Sequence, residues 1–99
     1  MRASLGLDKA VLADFCQRNH IRRLSIFGSA LRDDFGPQSD LDLLVEFESG
    51  AVVTLLDMAR MEIELSEMIG RQVDLRTPQE LSRHFRAEVL ASAVVQYGA

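Results

Sequence analysis

The sequence predicts an α/β (α+β) fold, in which a small mixed β-sheet of about three to four strands is flanked by helices. Several segments carry apolar residues at helical spacing, and three short runs have the apolar pattern of strands. Glycine, proline and N-capping residues separate these segments. The predicted order is α-β-turn-β-α-β-α-α, and this alternation favours helices that pack on one small sheet.

The first half of the chain contains a predicted helix and two predicted strands. Residues 7–19 show helical spacing of apolar residues, and residues 22–27 form a predicted strand whose core residues are Leu24, Ile26 and Phe27. Gly28-Ser29 turns the chain, and the Gly-Pro pair within 33–39 indicates a loop. The next predicted strand begins at Asp40, because apolar and mostly acidic positions alternate there.

The second half begins with the longest predicted helix, over 52–69. Thr54 and Asp57 resemble a capping box, and Gly70 is a typical C-terminal stop. A short strand is predicted over 72–76. The remaining predicted elements are a helix of one or two turns after Thr77-Pro78-Gln79-Glu80 and a helix over 86–95.

Length and composition indicate a single domain over residues 1–99, with a net charge of −4 and a pI of about 5.0. The acidic charge argues against charge-driven binding of nucleic acid, but it does not exclude a nucleotide. Cys16 is the one cysteine, so no intrachain disulfide is possible. With no apolar run long enough for a membrane span and no signal-peptide pattern, the expected location is the cytoplasm.

Gly28-Ser29 and the pair Asp40 and Asp42 are the predicted centre of the molecule's chemistry. The two aspartates are two residues apart in a predicted strand, so their side chains project from the same face. Glycine lets the backbone approach a phosphate, and the serine hydroxyl and the amides after it offer an anion site. Oxygen ligands of this kind suit Mg²⁺, or Mn²⁺, beside a phosphate.

Asp74 would extend this site if its strand lies beside the strand of Asp40 and Asp42. Three carboxylates repel one another unless cations are present, and two metal ions could stabilise an in-line phosphoryl displacement. Asp74 would also be placed to take a proton from an acceptor hydroxyl. Arg32 is a weaker candidate for phosphate binding, since an ion pair with the neighbouring Asp33 or Asp34 is equally plausible.

Each motif also has a purely structural interpretation. A lone D-x-D at a strand start is most often a solvated turn, and a lone Gly-Ser after a strand is usually only a turn. The pair together with a third aspartate on a strand favours the functional interpretation.

The spacing Gly28-Ser29, ten residues, then Asp40-Leu41-Asp42 before an apolar strand resembles the signature of minimal nucleotidyltransferases of the DNA polymerase β-like superfamily. The stretches SDLDLLVEF and GRQVDLRTPQEL are similar to MntA-type antitoxins of HEPN/MNT toxin–antitoxin pairs. The resemblance covers residues 20–97 and implies the nucleotidyltransferase fold.

By this resemblance, Gly28 and Ser29 bind the nucleoside triphosphate, Asp40 and Asp42 bind metal, and Asp74 is the third carboxylate. The implied reaction is Mg²⁺-dependent transfer of AMP from ATP to a hydroxyl of a HEPN-family toxin, with a tyrosine as the expected acceptor. The implied partners are this toxin and the nucleotide, without direct nucleic-acid or membrane binding, in a homodimer or hetero-oligomer. Two alternatives are a non-catalytic antitoxin that binds its partner sterically and a transferase for small molecules. The latter is disfavoured because no acceptor-binding domain is expected after residue 99.

The helix over 52–69 has two apolar sectors, which partner binding or core packing could explain. Met58, Met61, Leu65 and Met68 form one sector, and the other contains Val52, Leu55, Leu56, Ala59 and Ile63. A helix with one stripe on a sheet does not need both sectors. Methionine is common at adaptable binding surfaces, so the methionine sector is the candidate surface for a partner or for a second copy of the chain. The alternative is that the C-terminal helices close over both sectors as core.

Overall fold

The computed structural model describes residues 4–28 and 40–98 of the chain. The elements in order are α1 Lys9–Arg18, β1 Ile21–Phe27, β2 Leu41–Phe47, α2 Leu55–Ile69, β3 Val73–Arg76, a 3-10 helix Pro78–Glu80, α3 Arg83–Ser92 and β4 Val94–Tyr97. The strands form one mixed sheet in the order β3-β2-β1-β4. The predicted fold class is therefore confirmed.

The sheet topology follows from the connections between strands. β1 pairs antiparallel with β2 and with β4, whereas β3 pairs parallel with β2. A parallel neighbour needs a crossover connection, and α2 provides it between β2 and β3. β3 consequently lies at one edge of the sheet, beside the strand that carries Asp42.

Helix α2 begins and ends where the capping residues predict. The Thr54 hydroxyl accepts a hydrogen bond from the backbone N–H of Asp57, whose carboxylate accepts one from the N–H of Thr54. Gly70 ends the helix in the left-handed conformation at φ +82°. The helix is shorter than predicted at its start, because residues 52 and 53 precede the N-cap.

The predicted helix over 86–95 is wrong at both ends. Ser82 caps α3 by accepting a hydrogen bond from the N–H of His84, so the helix begins at Arg83. Ala93 is extended, with ψ 142°, and the β-branched Val94 and Val95 pair with β1. Thr77 and Glu80 form the predicted capping box. The short helix predicted there is the single 3-10 turn Pro78–Glu80.

The core lies on one face of the sheet, under α1 and α2. Its buried side chains are Leu5, Leu12, Phe15, Cys16, Ile21, Leu24, Ile26, Leu41, Leu43, Val45, Met61, Leu65, Val73 and Leu75. Burial raises the pKa of the Cys16 thiol to about 12, so this thiol is unreactive at neutral pH. No helix in the described ranges is long and apolar enough to cross a membrane.

The two sectors of α2 have different environments. Met61 and Leu65 are buried, and Met58 and Met68 pack partly buried against the core. The methionine sector therefore faces the sheet, and its prediction as a partner surface is wrong. The alternative, with both sectors in the core, is wrong as well, because Leu55 is 90% exposed.

An ion pair on the other face of the sheet joins β1 to β2. Arg23 and Glu46 are register partners, and the Arg23 guanidinium donates to both carboxylate oxygens, at 2.5 and 2.7 Å. These hydrogen bonds hold the pKa of Glu46 below its usual value. Arg22 adds a longer contact of 3.4 Å.

Glu46→Gln is expected to lower stability at neutral pH and to have little effect in acid. Because the folded pKa of Glu46 is lowered, its contribution is present above the ordinary pKa of 4.5 and is lost as the pH falls through the lowered value. Urea unfolding at a series of pH values measures this. A destabilisation that stays constant down to pH 2 would show that the ion pair is not its cause.

Candidate active site

Asp42 and Asp74 lie side by side in the sheet. They are register partners in the parallel pair of β2 and β3, which places their backbones about 4.8 Å apart. The flanking pairs, Leu41 with Val73 and Leu43 with Leu75, are buried in the core. Because side chains alternate along a strand, both carboxylates project from the opposite face, where they are half-buried. The predicted condition that the two strands are neighbours is thus met.

Gly28 follows the end of β1 and lies beside the carboxylate of Asp42. We call Gly28, Asp42 and Asp74 together the carboxylate corner. The neighbour of Gly28, Phe27, is the register partner of Asp42, and the backbone of Gly28 turns with φ +74°. A Cβ atom at this position would lie 2.5 Å from Oδ2 of Asp42 and 3.3 Å from Cγ. Glycine is therefore required both for the left-handed turn and for the close approach of the carboxylate.

Asp40 is exposed and directly precedes β2. The N–H of Leu41 donates to the carbonyl oxygen of Gln72 at 2.8 Å, which ties the start of β2 to the start of β3. Asp40 is therefore held at the end of the sheet where Asp42 and Asp74 lie. The carboxylates of Asp42 on β2 and Asp74 on β3 therefore lie near the start of the β2–β3 pair.

Arg76 contacts the third carboxylate, and sequence reasoning missed it. Its Nη2 donates to Oδ2 of Asp74 at 3.1 Å, and its Nη1 lies 3.7 Å from Oε2 of Glu80. Glu80 is itself oriented, because its Oε1 accepts a hydrogen bond from the N–H of Thr77. Asp74 holds the pKa of Arg76 above its usual value. The spacing D-x-R within a strand was the available signal, since it places both side chains on one face.

The predicted nucleotide-binding residues Ser29 and Arg32 lie outside the described residues, as does the predicted loop over 33–39. Within 4–28 and 40–98, no group of three or more His, Cys, Asp or Glu side chains is arranged to hold a metal ion. The triad of Asp40, Asp42 and Asp74 as metal ligands remains a prediction. Asp42 and Asp74 do fit Mg²⁺, which is usually held by one or two carboxylates together with water and substrate phosphate.

Arg76→Met is expected to tighten the binding of Mn²⁺ about two- to fivefold, because it removes a positive charge beside Asp74. A titration followed by electron paramagnetic resonance of free Mn²⁺ measures the affinity. Arg60→Met is the matched control, since Arg60 pairs with Asp57 on α2. Equal Mn²⁺ affinities of wild type and Arg76→Met would contradict this account of Arg76.

The model of the nucleotidyltransferase domain family matches residues 9–96, nearly the whole chain. The chain belongs to this family. Its predicted assignment to the nucleotidyltransferases, and to their enzyme class, is confirmed. The corner of Gly28, Asp42 and Asp74 is thus the candidate active site of a nucleotidyltransferase.

Two sequence relatives of this nucleotidyltransferase are named as protein adenylyltransferases. An inferred protein adenylyltransferase of Methanocaldococcus jannaschii is 38% identical over 77 residues, which cover 78% of this chain and 81% of the relative. The protein adenylyltransferase MntA of Thermococcus cleftensis is 32% identical over 78 residues, covering 79% of this chain and 77% of the relative. The resemblance to MntA-type proteins is confirmed.

Solved structures share the fold. A minimal nucleotidyltransferase is 37% identical, with a TM-score of 0.71 and coverage of 87% of this chain and 86% of that one. A toxin–antitoxin complex with AMP-PNP gives a TM-score of 0.73 at 17% identity, covering 94% and 75%. A Shewanella oneidensis complex of a tri-AMPylated HEPN toxin with its MNT antitoxin gives 0.66 at 16% identity, covering 96% and 73%. The last two show the fold alone.

Proposed function

We propose that the protein is a Mg²⁺-dependent protein adenylyltransferase, which transfers AMP from ATP to a tyrosine hydroxyl of a cognate HEPN toxin in the cytoplasm. It would thereby act as the antitoxin of that toxin. The observation that carries the proposal is the register of Asp42 with Asp74 beside Gly28. The relatives named as protein adenylyltransferases support the choice of acceptor class.

In the proposed reaction, the carboxylate corner provides the group that takes the proton of the acceptor hydroxyl. The acceptor oxygen attacks the α-phosphorus of ATP, a new P–O bond forms, and the bond to the β-phosphate oxygen breaks to release pyrophosphate. Asp74 takes the hydroxyl proton as general base, from its place beside Asp42. Gly28 lets the Asp42 carboxylate approach the end of β1, because a Cβ there would lie 2.5 Å from Oδ2 of Asp42. Mg²⁺ bound by Asp40 and Asp42 would supply charge stabilisation for the phosphates.

AMP on the acceptor tyrosine would mask the toxin's nuclease. The proposed outcome is protection of cells by a covalent change, which persists after the two proteins separate. This outcome distinguishes the proposal from simple capture of the toxin, in which protection requires continuous binding.

A second candidate function is antitoxin action by steric binding without chemistry. The observation that favours it is the exposed apolar sector of α2, since exposed apolar patches commonly mark protein interfaces. This candidate needs neither Asp40 nor Asp42.

The two candidate functions are distinguished by the growth of cells that produce the cognate HEPN toxin together with wild type or a variant of this protein. Wild type and the variant with Asp40→Ala and Asp42→Ala are produced at equal levels, and their folding is verified by circular dichroism. The proposed function predicts rescue by wild type and no rescue by the variant. Equal rescue by both would establish the steric alternative and refute the enzymatic one.

A further inference from the structure

The outer stripe of α2 consists of its exposed residues Leu55, Leu56, Ala59 and Ile63, together with Val52, which precedes the N-cap. Val52 is 89% exposed, Leu55 90%, Leu56 80% and Ile63 63%. Residues three and four apart share one face of a helix, so the helical members of the stripe form a continuous apolar strip opposite the methionine sector. A strip of this kind on a small acidic protein marks an interaction surface.

A cavity with carboxylates adjoins each end of the outer stripe. One, of about 360 Å³, is lined by Glu48 and Val52 among others. The other, of about 280 Å³, is lined by Glu62, Ile63 and Glu67 among others. Each cavity therefore sets an aliphatic side chain beside an acidic one. This arrangement suits Lys or Arg, whose alkyl stem packs on apolar surface while the cation meets a carboxylate.

A second copy of the chain is a poor occupant of this surface. An antiparallel helix pair centred on Ala59 would place Glu67 of one copy opposite Ala51 of the other, in the cavity that Glu48 lines. A parallel pair would place Glu67 opposite itself. Like charges would meet in both arrangements, in a chain that carries a net charge of −4. The surface fits a basic segment of a different protein.

The outer stripe lies beside the strand that carries Asp74. The carboxylate of Glu62 accepts a hydrogen bond from the N–H of Leu75 at 2.7 Å, and the Ser66 hydroxyl accepts one from the N–H of Val73 at 3.0 Å. α2 is thereby bonded to the edge strand β3. A protein bound to the outer stripe would therefore lie beside the edge strand that carries Asp74.

We propose that the outer stripe of α2 anchors the acceptor protein through an amphipathic helix with Lys or Arg at both ends of its apolar face. The inference rests on the proposed function, in which the acceptor is the HEPN toxin. The anchor and the transfer site lie on different faces of the sheet. The acceptor segment can therefore enter and leave the site while the partner stays bound.

Binding of the purified cognate HEPN toxin is measured by calorimetry without ATP. Leu56→Asp is expected to weaken binding about tenfold or more, as for the loss of a central apolar contact. Val11→Asp, at an exposed aliphatic position of α1, is the matched control and is expected to change binding less than about twofold. Glu67→Lys is expected to weaken binding about threefold at low salt and less at high salt, whereas Glu88→Lys on α3 has no effect.

Equal binding by wild type and Leu56→Asp would overturn the proposal, as would a wild-type dimer in sedimentation that Leu56→Asp dissociates. Transfer of label from α-labelled ATP is measured separately on the same proteins. Binding that needs Leu56 in the absence of any transfer refutes the proposed function and leaves the docking surface intact. Transfer with unchanged binding in Leu56→Asp refutes the docking surface alone.

Discussion

Replacing Asp40 and Asp42 together with alanine is expected to reduce AMP transfer at least about 10³-fold, because charge stabilisation of the phosphates is lost. The fold is expected to survive, since Asp40 is exposed and Asp42 is half-buried on the face opposite the core. Thermal stability without metal is expected to stay equal or to rise, because repulsion with Asp74 is removed. Transfer of label from α-labelled ATP to the partner and thermal unfolding measure the two effects.

The matched control for the double variant is Asp14→Ala with Glu88→Ala. It removes the same formal charge from exposed positions on α1 and α3. Transfer by this control is expected to stay within about twofold of wild type, because Asp14 pairs with Arg18 on α1 and Glu88 is exposed on α3. Loss of transfer in both double variants would indicate an effect of net charge and would contradict a specific role of Asp40 and Asp42.

Gly28→Ala is expected to reduce transfer about 10²-fold and to destabilise the protein by about 1–2 kcal/mol. The φ of +74° is unfavourable for alanine, and the new Cβ would lie 2.5 Å from Oδ2 of Asp42. Relief of this contact requires the Asp42 carboxylate or the turn at residue 28 to move, which disturbs the arrangement of Asp42 beside Asp74. Chemical denaturation measures the first effect and the rate of label transfer the second.

Gly50→Ala separates backbone strain from the clash. Gly50 has a similar φ of +85°, but a Cβ there would meet no atom within 4 Å. A loss of stability from backbone strain alone is therefore expected, with unchanged transfer. If Gly50→Ala reduces transfer as much as Gly28→Ala, general destabilisation explains the loss and the close approach to Asp42 does not.

Local signals in the sequence predicted most of the elements. The reciprocal capping of Thr54 and Asp57 and the left-handed Gly70 depend on neighbouring residues only, so they can be recognised without the fold. The strand β4 could not be recognised in this way. Its four residues follow a helix directly, and its hydrogen bonds come from pairing with β1, which is distant in sequence.

The sequence identified the aspartates of the candidate site, but it predicted that they lie together only on the condition that their strands are neighbours. Asp40 and Asp42 share a face by strand periodicity, whereas their proximity to Asp74 depends on a strand order that no local pattern contains. Arg76 was missed because its role follows from the contact with Asp74. Both sectors of α2 are apolar, so the sequence could not show which of them packs on the sheet.

The central claim is that the corner of Gly28, Asp42 and Asp74 transfers a nucleoside monophosphate. Its most direct test compares ATP labelled at the α-phosphate with ATP labelled at the γ-phosphate, each incubated with Mg²⁺, the protein and the proposed cognate HEPN partner. The account predicts that the α-label becomes bound to the cognate HEPN partner and that the γ-label is released as pyrophosphate. Label from the γ-phosphate on the partner, or no label from either ATP with folded proteins, would contradict it.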